Sequence, residues 1–125
     1  MGARILLVDD DPDILESTQY LVEAEGYEVE TARNGREALE KLTARKPDVI
    51  LLDLMMPVMD GWQFVEELRK SPSASVPVIV LSASHGLAQK AKQLNAAGWV
   101  AKPFDIDNLL RQIADLVRGR EATQS

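Results

Sequence analysis

Five short aliphatic runs alternate with five amphipathic stretches along this chain, and that alternation constrains its fold more than any other feature. "RILLVD" (4–9), "YEVETA" (27–32), "DVILLD" (48–53), "PVIVLS" (77–82) and "GWVAK" (98–102) read as strands. Three of them are nearly unbroken aliphatic sequence, as suits a parallel sheet covered on both faces. The stretches between them carry helix punctuation. In "PDILESTQYLVEAEG", Asp11 is the expected N-cap, Pro12 the first helical residue and Gly26 a position past the end. Ile14, Leu15, Thr18, Leu21 and Val22 fall on its inner face. Asn34, Asp60 and Asp105 are the expected caps of three further helices, with Ala38, Leu39 and Leu42, then Phe64, Val65 and Leu68, then Leu109, Leu110, Ile113, Leu116 and Val117 turned inward. The fourth helix, "LAQKAKQLN", has an inner face of only Leu87, Ala91 and Leu94 and is expected to move most easily. Strands and helices in this order predict an α/β fold with right-handed crossovers.

A chain of 125 residues, 46% hydrophobic, fits one compact domain, and cysteine is absent, which excludes disulfides and thiolate metal sites. No apolar stretch approaches the ~18 residues of a membrane span. The apolar run in "MGARILLVDD" is too short for a secretory signal, so a cytoplasmic location is expected. The net charge of −6 disfavours direct nucleic-acid binding, which rests on lysine and arginine neutralising phosphates. The compact domain is expected over 1–118, with "GREATQS" (119–125) a frayed tail or the start of a linker.

In open α/β sheets, ligands sit beyond the carboxyl ends of the strands, where the strand order reverses. Here those ends are chemically loaded. Strand one finishes on Asp9 and Asp10, strand three on Asp53, strand four on Ser82 and strand five on Lys102. A buried unpaired charge is costly, so carboxylates brought together there call for a cation. A hard ion such as Mg²⁺ suits them and leaves room for a phosphoryl oxygen. Lysine offers a point charge and serine a hydroxyl to the other oxygens. The set fits phosphoryl transfer, with Asp53 as the nucleophile that would form an aspartyl phosphate.

With "ILLVDDDPDILE", "DLMMPVMDGWQF", "VIVLSAS" and "VAKPF" in this order, the chain resembles the receiver domain of two-component response regulators over essentially its full length. The resemblance implies a flavodoxin-like (βα)5 three-layer sandwich with a parallel five-stranded sheet in the order 2-1-3-4-5. It implies Asp53 as phosphoacceptor, and Asp10, Asp53 and the backbone carbonyl of Met55 as ligands to Mg²⁺ or Mn²⁺, with Asp9 acting mainly through water. Ser82 and Lys102 would bind phosphoryl oxygens, and the peptide before Pro103 would be cis. Gly61 would relieve crowding where the loop enters the next helix. A sensor histidine kinase, a phosphotransfer protein or a small phosphodonor would supply the phosphoryl group. The domain would assist its own phosphorylation and dephosphorylation without being an enzyme on a separate substrate. The face formed by the fourth helix, fifth strand and fifth helix would control an unidentified output partner. Trp99 stands where the family usually has a tyrosine or phenylalanine switch, so it is either that switch or a partly buried core aromatic.

Other residues have plainer readings. Asp11 and Asp13 belong to the first helix start, and Asp60 is a cap. His85, the only histidine, reads as a loop residue. Met55 and Ser84, two residues past Asp53 and Ser82, hold positions that in the family influence phosphate lifetime. Met55, Met56 and Met59 read as loop packing beside Pro57. Lys90 and Lys92, on a helix without acids, hint at an acidic partner surface, although solvated lysines are the usual explanation. A dehalogenase-type phosphatase is disfavoured because its motif, begun at Asp9, would need threonine or valine where Asp13 stands. The alternative that remains is a receiver-like interaction module that is not phosphorylated.

Overall fold

The computed structural model describes residues 3–56, 58–83, 86–103 and 105–124, with side chains through residue 119. In chain order the elements are β1 (Arg4–Val8), α1 (Pro12–Glu23), β2 (Glu28–Ala32), α2 (Gly35–Ala44) and β3 (Val49–Asp53). They continue with α3 (Gly61–Arg69), β4 (Val78–Ser82), α4 (Leu87–Gln93), β5 (Gly98–Ala101) and α5 (Ile106–Gln124). All strand pairs are parallel, and the strand order is β2-β1-β3-β4-β5, the flavodoxin-like arrangement.

The aliphatic runs bury because both sheet faces are covered. Every residue of β3 and β4 is buried, whereas β2, at the edge, buries only Ala32. Successive strand side chains point to opposite faces. Leu6, Val8, Ile50, Leu52 and Val80 therefore meet Phe64 and Leu68 of α3 on one side. Ile5, Leu7, Leu51 and Leu81 meet Leu15 and Val22 of α1 and Leu109 and Ile113 of α5 on the other. The result is three layers with two cores.

The helix starts follow the expected chemistry. Asp11 accepts from the Asp13 and Ile14 amides, Asn34 from Glu37, and Asp60 forms a reciprocal capping box with Gln63. Asp105 accepts from the Asp107 amide at 3.0 Å. Each such cap contributes about 1 kcal/mol. α4 departs from the pattern: its cap is Gly86 at φ 68°, with no side-chain hydrogen bond.

One expectation needs correction. Leu21 faces solvent at 40% exposure, because α1 buries the narrower stripe Leu15, Thr18 and Val22. α5 runs on to Gln124, past the expected end of the compact domain at residue 118. No described helix is long and apolar enough to cross a membrane.

Candidate functional site

The strand order reverses between β1 and β3, and both strands end at that point on carboxylates. Parallel pairing aligns Val8 with Leu52, so Asp9 and Asp53 leave the sheet side by side. Carboxylate oxygens of Asp9, Asp10 and Asp53 all lie within 4.8 Å of one another. Asp9 and Asp53 are buried, while Asp10 is exposed and keeps the cluster open to solvent. At the end of β5 the Lys102 ammonium enters the same space. It donates to Asp9 Oδ2 at 2.6 Å and lies 3.3 Å from Asp53 Oδ2.

Hydrogen bonds fix the carboxylates further. The Asp11 amide donates to Asp9 Oδ1 at 2.9 Å, and the Met55 amide donates to Asp53 Oδ1 at 3.1 Å. Burial pushes the Asp53 carboxyl from 3.8 up to about 6, although the Met55 amide and Lys102 pull it down; the Asp9 charge adds to the rise. For Lys102, burial opposes the ammonium, yet the Asp9 hydrogen bond and the charges of Asp53 and Asp9 outweigh it and raise the pKa. Three carboxylates against one ammonium leave the cluster short of positive charge. A hard divalent cation fits that all-oxygen set, with Asp10 on the open side.

Ser82 is fully buried at the end of β4, whose Leu81 pairs with Asp53. The Lys102–Pro103 peptide is cis. Gly61 closes the loop after Asp53: its amide donates to the Leu54 carbonyl at 3.1 Å, and a Cβ there would lie 2.7 Å from Leu54 Cα. The expected relief of crowding at Gly61 therefore has a concrete cause.

Trp99 stands apart from this cluster. The residue is 45% exposed, and it lines a groove of about 810 Å³ between α4 and α5. Of the three loop methionines, Met56 is buried, Met59 packs against the core and Met55 is 65% exposed. Pro57, Ser84, His85 and Phe104 lie outside the described residues.

Two features escaped the sequence reading. Asp9 was expected to act through water, and its direct bond to Lys102 was not foreseen, because residues 93 apart give no local signal. Arg69 of α3 reaches the carbonyls of Ala74 at 2.7 Å and Asn95 at 3.3 Å, fastening α3 to the end of α4. As a single half-buried arginine at the end of a helix, it carried no motif.

Fold and site define a doubly wound α/β protein with a strand-end cluster of acids and a lysine at its switch point. The chain belongs to the response regulator receiver domain family, whose profile matches residues 5–114. It is 38% identical over 120 residues to the response regulator MprA of Mycolicibacterium vanbaalenii, covering 94% of this chain and 52% of that protein. It is 41% identical over 122 residues to the transcriptional regulatory protein PrrA of Mycobacterium leprae, covering 96% of this chain and 52% of the relative. The chain thus spans about half the length of the curated relatives it matches. The solved chemotaxis protein CheY4 of Vibrio cholerae superposes with a TM-score of 0.85 at 37% identity, covering 93% of this chain and 99% of that one. A CheY-like receiver domain protein from Methanospirillum hungatei gives 0.89 at 30% identity, covering 98% and 99%. The chain is therefore a two-component signalling domain rather than a classical enzyme.

Proposed function

We propose that this domain is a phosphorylation switch in which Asp53 accepts the phosphoryl group. The observation that carries the reading is the convergence of Asp9, Asp10, Asp53 and Lys102 at the switch point. Asp10, Asp53 and the Met55 carbonyl would hold Mg²⁺, with Asp9 acting through water. When bound, the ion supplies positive charge for the phosphoryl oxygens.

The protein side chains divide the remaining work. A carboxylate oxygen of Asp53 attacks phosphorus, and the bond to the donor breaks with its electron pair leaving on the imidazole of a phosphohistidine or on the carboxylate of an acyl phosphate. Lys102 neutralises a second phosphoryl oxygen, and the Ser82 hydroxyl donates to a third. Water later hydrolyses the acyl phosphate. The donor would be a sensor histidine kinase or a phosphotransfer protein. Movement of Ser82 toward the phosphoryl group, with Trp99 following, would alter the α4-β5-α5 face that an output partner reads. Residues 1–118 form the receiver unit in this reading, and the helical turns beyond them a connecting segment.

Intact-protein mass after incubation with Mg²⁺ and acetyl phosphate tests the reading. A phosphate-sized gain is expected in the wild type and none in Asp53→Asn. No gain, repeated with a histidine kinase as donor, would favour an interaction module that is not phosphorylated.

A further inference from the structure

We infer that Gly35, at the first turn of α2, is a positioning residue for the Asp53 site, acting through Met59. The inference rests on the phosphoacceptor reading and extends it to an element with no side chain in the cluster. The loop from Leu54 to Asp60 carries Met55, whose amide holds Asp53 Oδ1 and whose carbonyl is the expected third ligand. Its two ends are tied to the scaffold. The Leu54 amide reaches the Leu81 carbonyl at 3.4 Å, and the Leu54 carbonyl accepts from Gly61. Between them Met56 is buried in the core, and Met59 is met from outside by the start of α2.

Asn34 caps α2 through the Glu37 amide, which leaves the Gly35 amide among the helix-start donors that need an outside partner. That partner is the Met59 carbonyl, at 3.2 Å. A Cβ on residue 35 would lie 2.8 Å from Met59 Cγ, 2.9 Å from its carbonyl oxygen and 3.0 Å from its Cβ. The side chain could swing away, but the carbonyl cannot move without the loop. Glycine is therefore required at 35 for close approach.

The neighbour of this contact is strained. Val58, directly before Met59, has φ 71° and is 76% exposed. A β-branched residue keeps such a conformation only where its surroundings impose it. The Gly35 to Met59 contact is the tie on the helix side of that residue, so releasing it lets the loop relax at Val58 and shift Met55.

The test compares wild type with Gly35→Ala, Gly35→Pro and Glu40→Gly, the last weakening α2 at an exposed position away from the loop. Mg²⁺ affinity is read by tryptophan fluorescence, and loop geometry by the Met55 amide resonance without metal. Gly35→Ala is expected to weaken Mg²⁺ binding about tenfold, the scale typical of losing a residue that orients metal ligands, and to move the Met55 amide. Gly35→Pro, which suits the first helical position but removes the amide donor to the Met59 carbonyl, should do both, and it serves alone if Gly35→Ala does not fold. Glu40→Gly should do neither. Unchanged affinity and an unmoved Met55 amide in the folded residue-35 variants would overturn the inference, as would equal effects in Glu40→Gly. If the wild type binds Mg²⁺ but takes up no phosphoryl group, the phosphoacceptor reading fails and these readouts still decide the role of Gly35. If it binds no Mg²⁺, the Met55 amide alone decides.

Discussion

Lys102 donates to Asp9 at 2.6 Å, closer than the 3.3 Å that separates it from the proposed phosphoacceptor Asp53. The lysine thus rests mainly on a carboxylate that is fully buried, and Asp9 depends on it. Replacing Lys102 by methionine leaves both buried acids without their cation. Breaking such a pair from one side is expected to cost about 3 kcal/mol of folding stability. Mg²⁺ supplies the missing charge, so the loss should shrink when the ion is added. Urea unfolding of Lys102→Met with and without Mg²⁺ checks this, and a loss of the same size in both conditions would disprove it.

The raised carboxyl of Asp53 makes stability depend on pH in a definite direction. Its pKa lies at about 6 in the fold against 3.8 in the open chain, so between these values the folded state binds more protons than the unfolded one. Stability from this group is therefore greatest below pH 3.8, declines through the window and levels off above about 6. Asp53→Asn has no such decline. Without metal it should be more stable than wild type near pH 7 by on the order of 2–3 kcal/mol, the free energy of a two-unit shift. Urea midpoints of the two proteins from pH 4 to 8 should diverge across the window, and parallel curves would refute the assignment.

Val58 offers a stabilising substitution. Its exposed side chain contributes little burial, while φ 71° penalises a β-branched residue. Glycine adopts that conformation freely but adds entropy to the unfolded chain. The net expectation for Val58→Gly is a gain of about 0.5–1 kcal/mol, the difference between relieved strain and added entropy. Thermal unfolding in the absence of Mg²⁺ reads it directly. A lowered midpoint would mean that the loop does not impose this strain.

What could be read from the sequence follows from the range of the interactions involved. The unbroken aliphatic runs required a sheet covered on both faces, and β3 and β4 are buried throughout. The caps Asp11, Asn34 and Asp60 act within three residues of themselves, so their spacing showed them. The acids and the lysine stood out because charge at the end of an aliphatic strand has no packing explanation. Contacts between distant segments left no such mark. Gly35 against Met59, Arg69 against Asn95 and Lys102 on Asp9 each depend on tertiary placement, which a periodic pattern does not encode. Leu21 was misplaced for a related reason, since periodicity gives the direction of an apolar stripe but not its width.

The fourth helix should open first. α4 has seven residues, buries only Leu87 and Ala91, and starts at a glycine that supplies no side-chain acceptor for its first amides. Isolated helices of that length are unstable in water, so α4 depends on packing that its thin apolar face barely provides. The Arg69 bond to the Asn95 carbonyl holds its far end. Native-state hydrogen exchange should therefore show the α4 amides least protected among the five helices, and Arg69→Ala should lower their protection further while leaving α1 unchanged. Because α4 borders the groove that contains Trp99, a helix that opens easily beside that groove is the physical requirement for a face that changes with the state of the site. Equal protection across the helices would remove this basis for switching and shift attention to loop movement at Asp53.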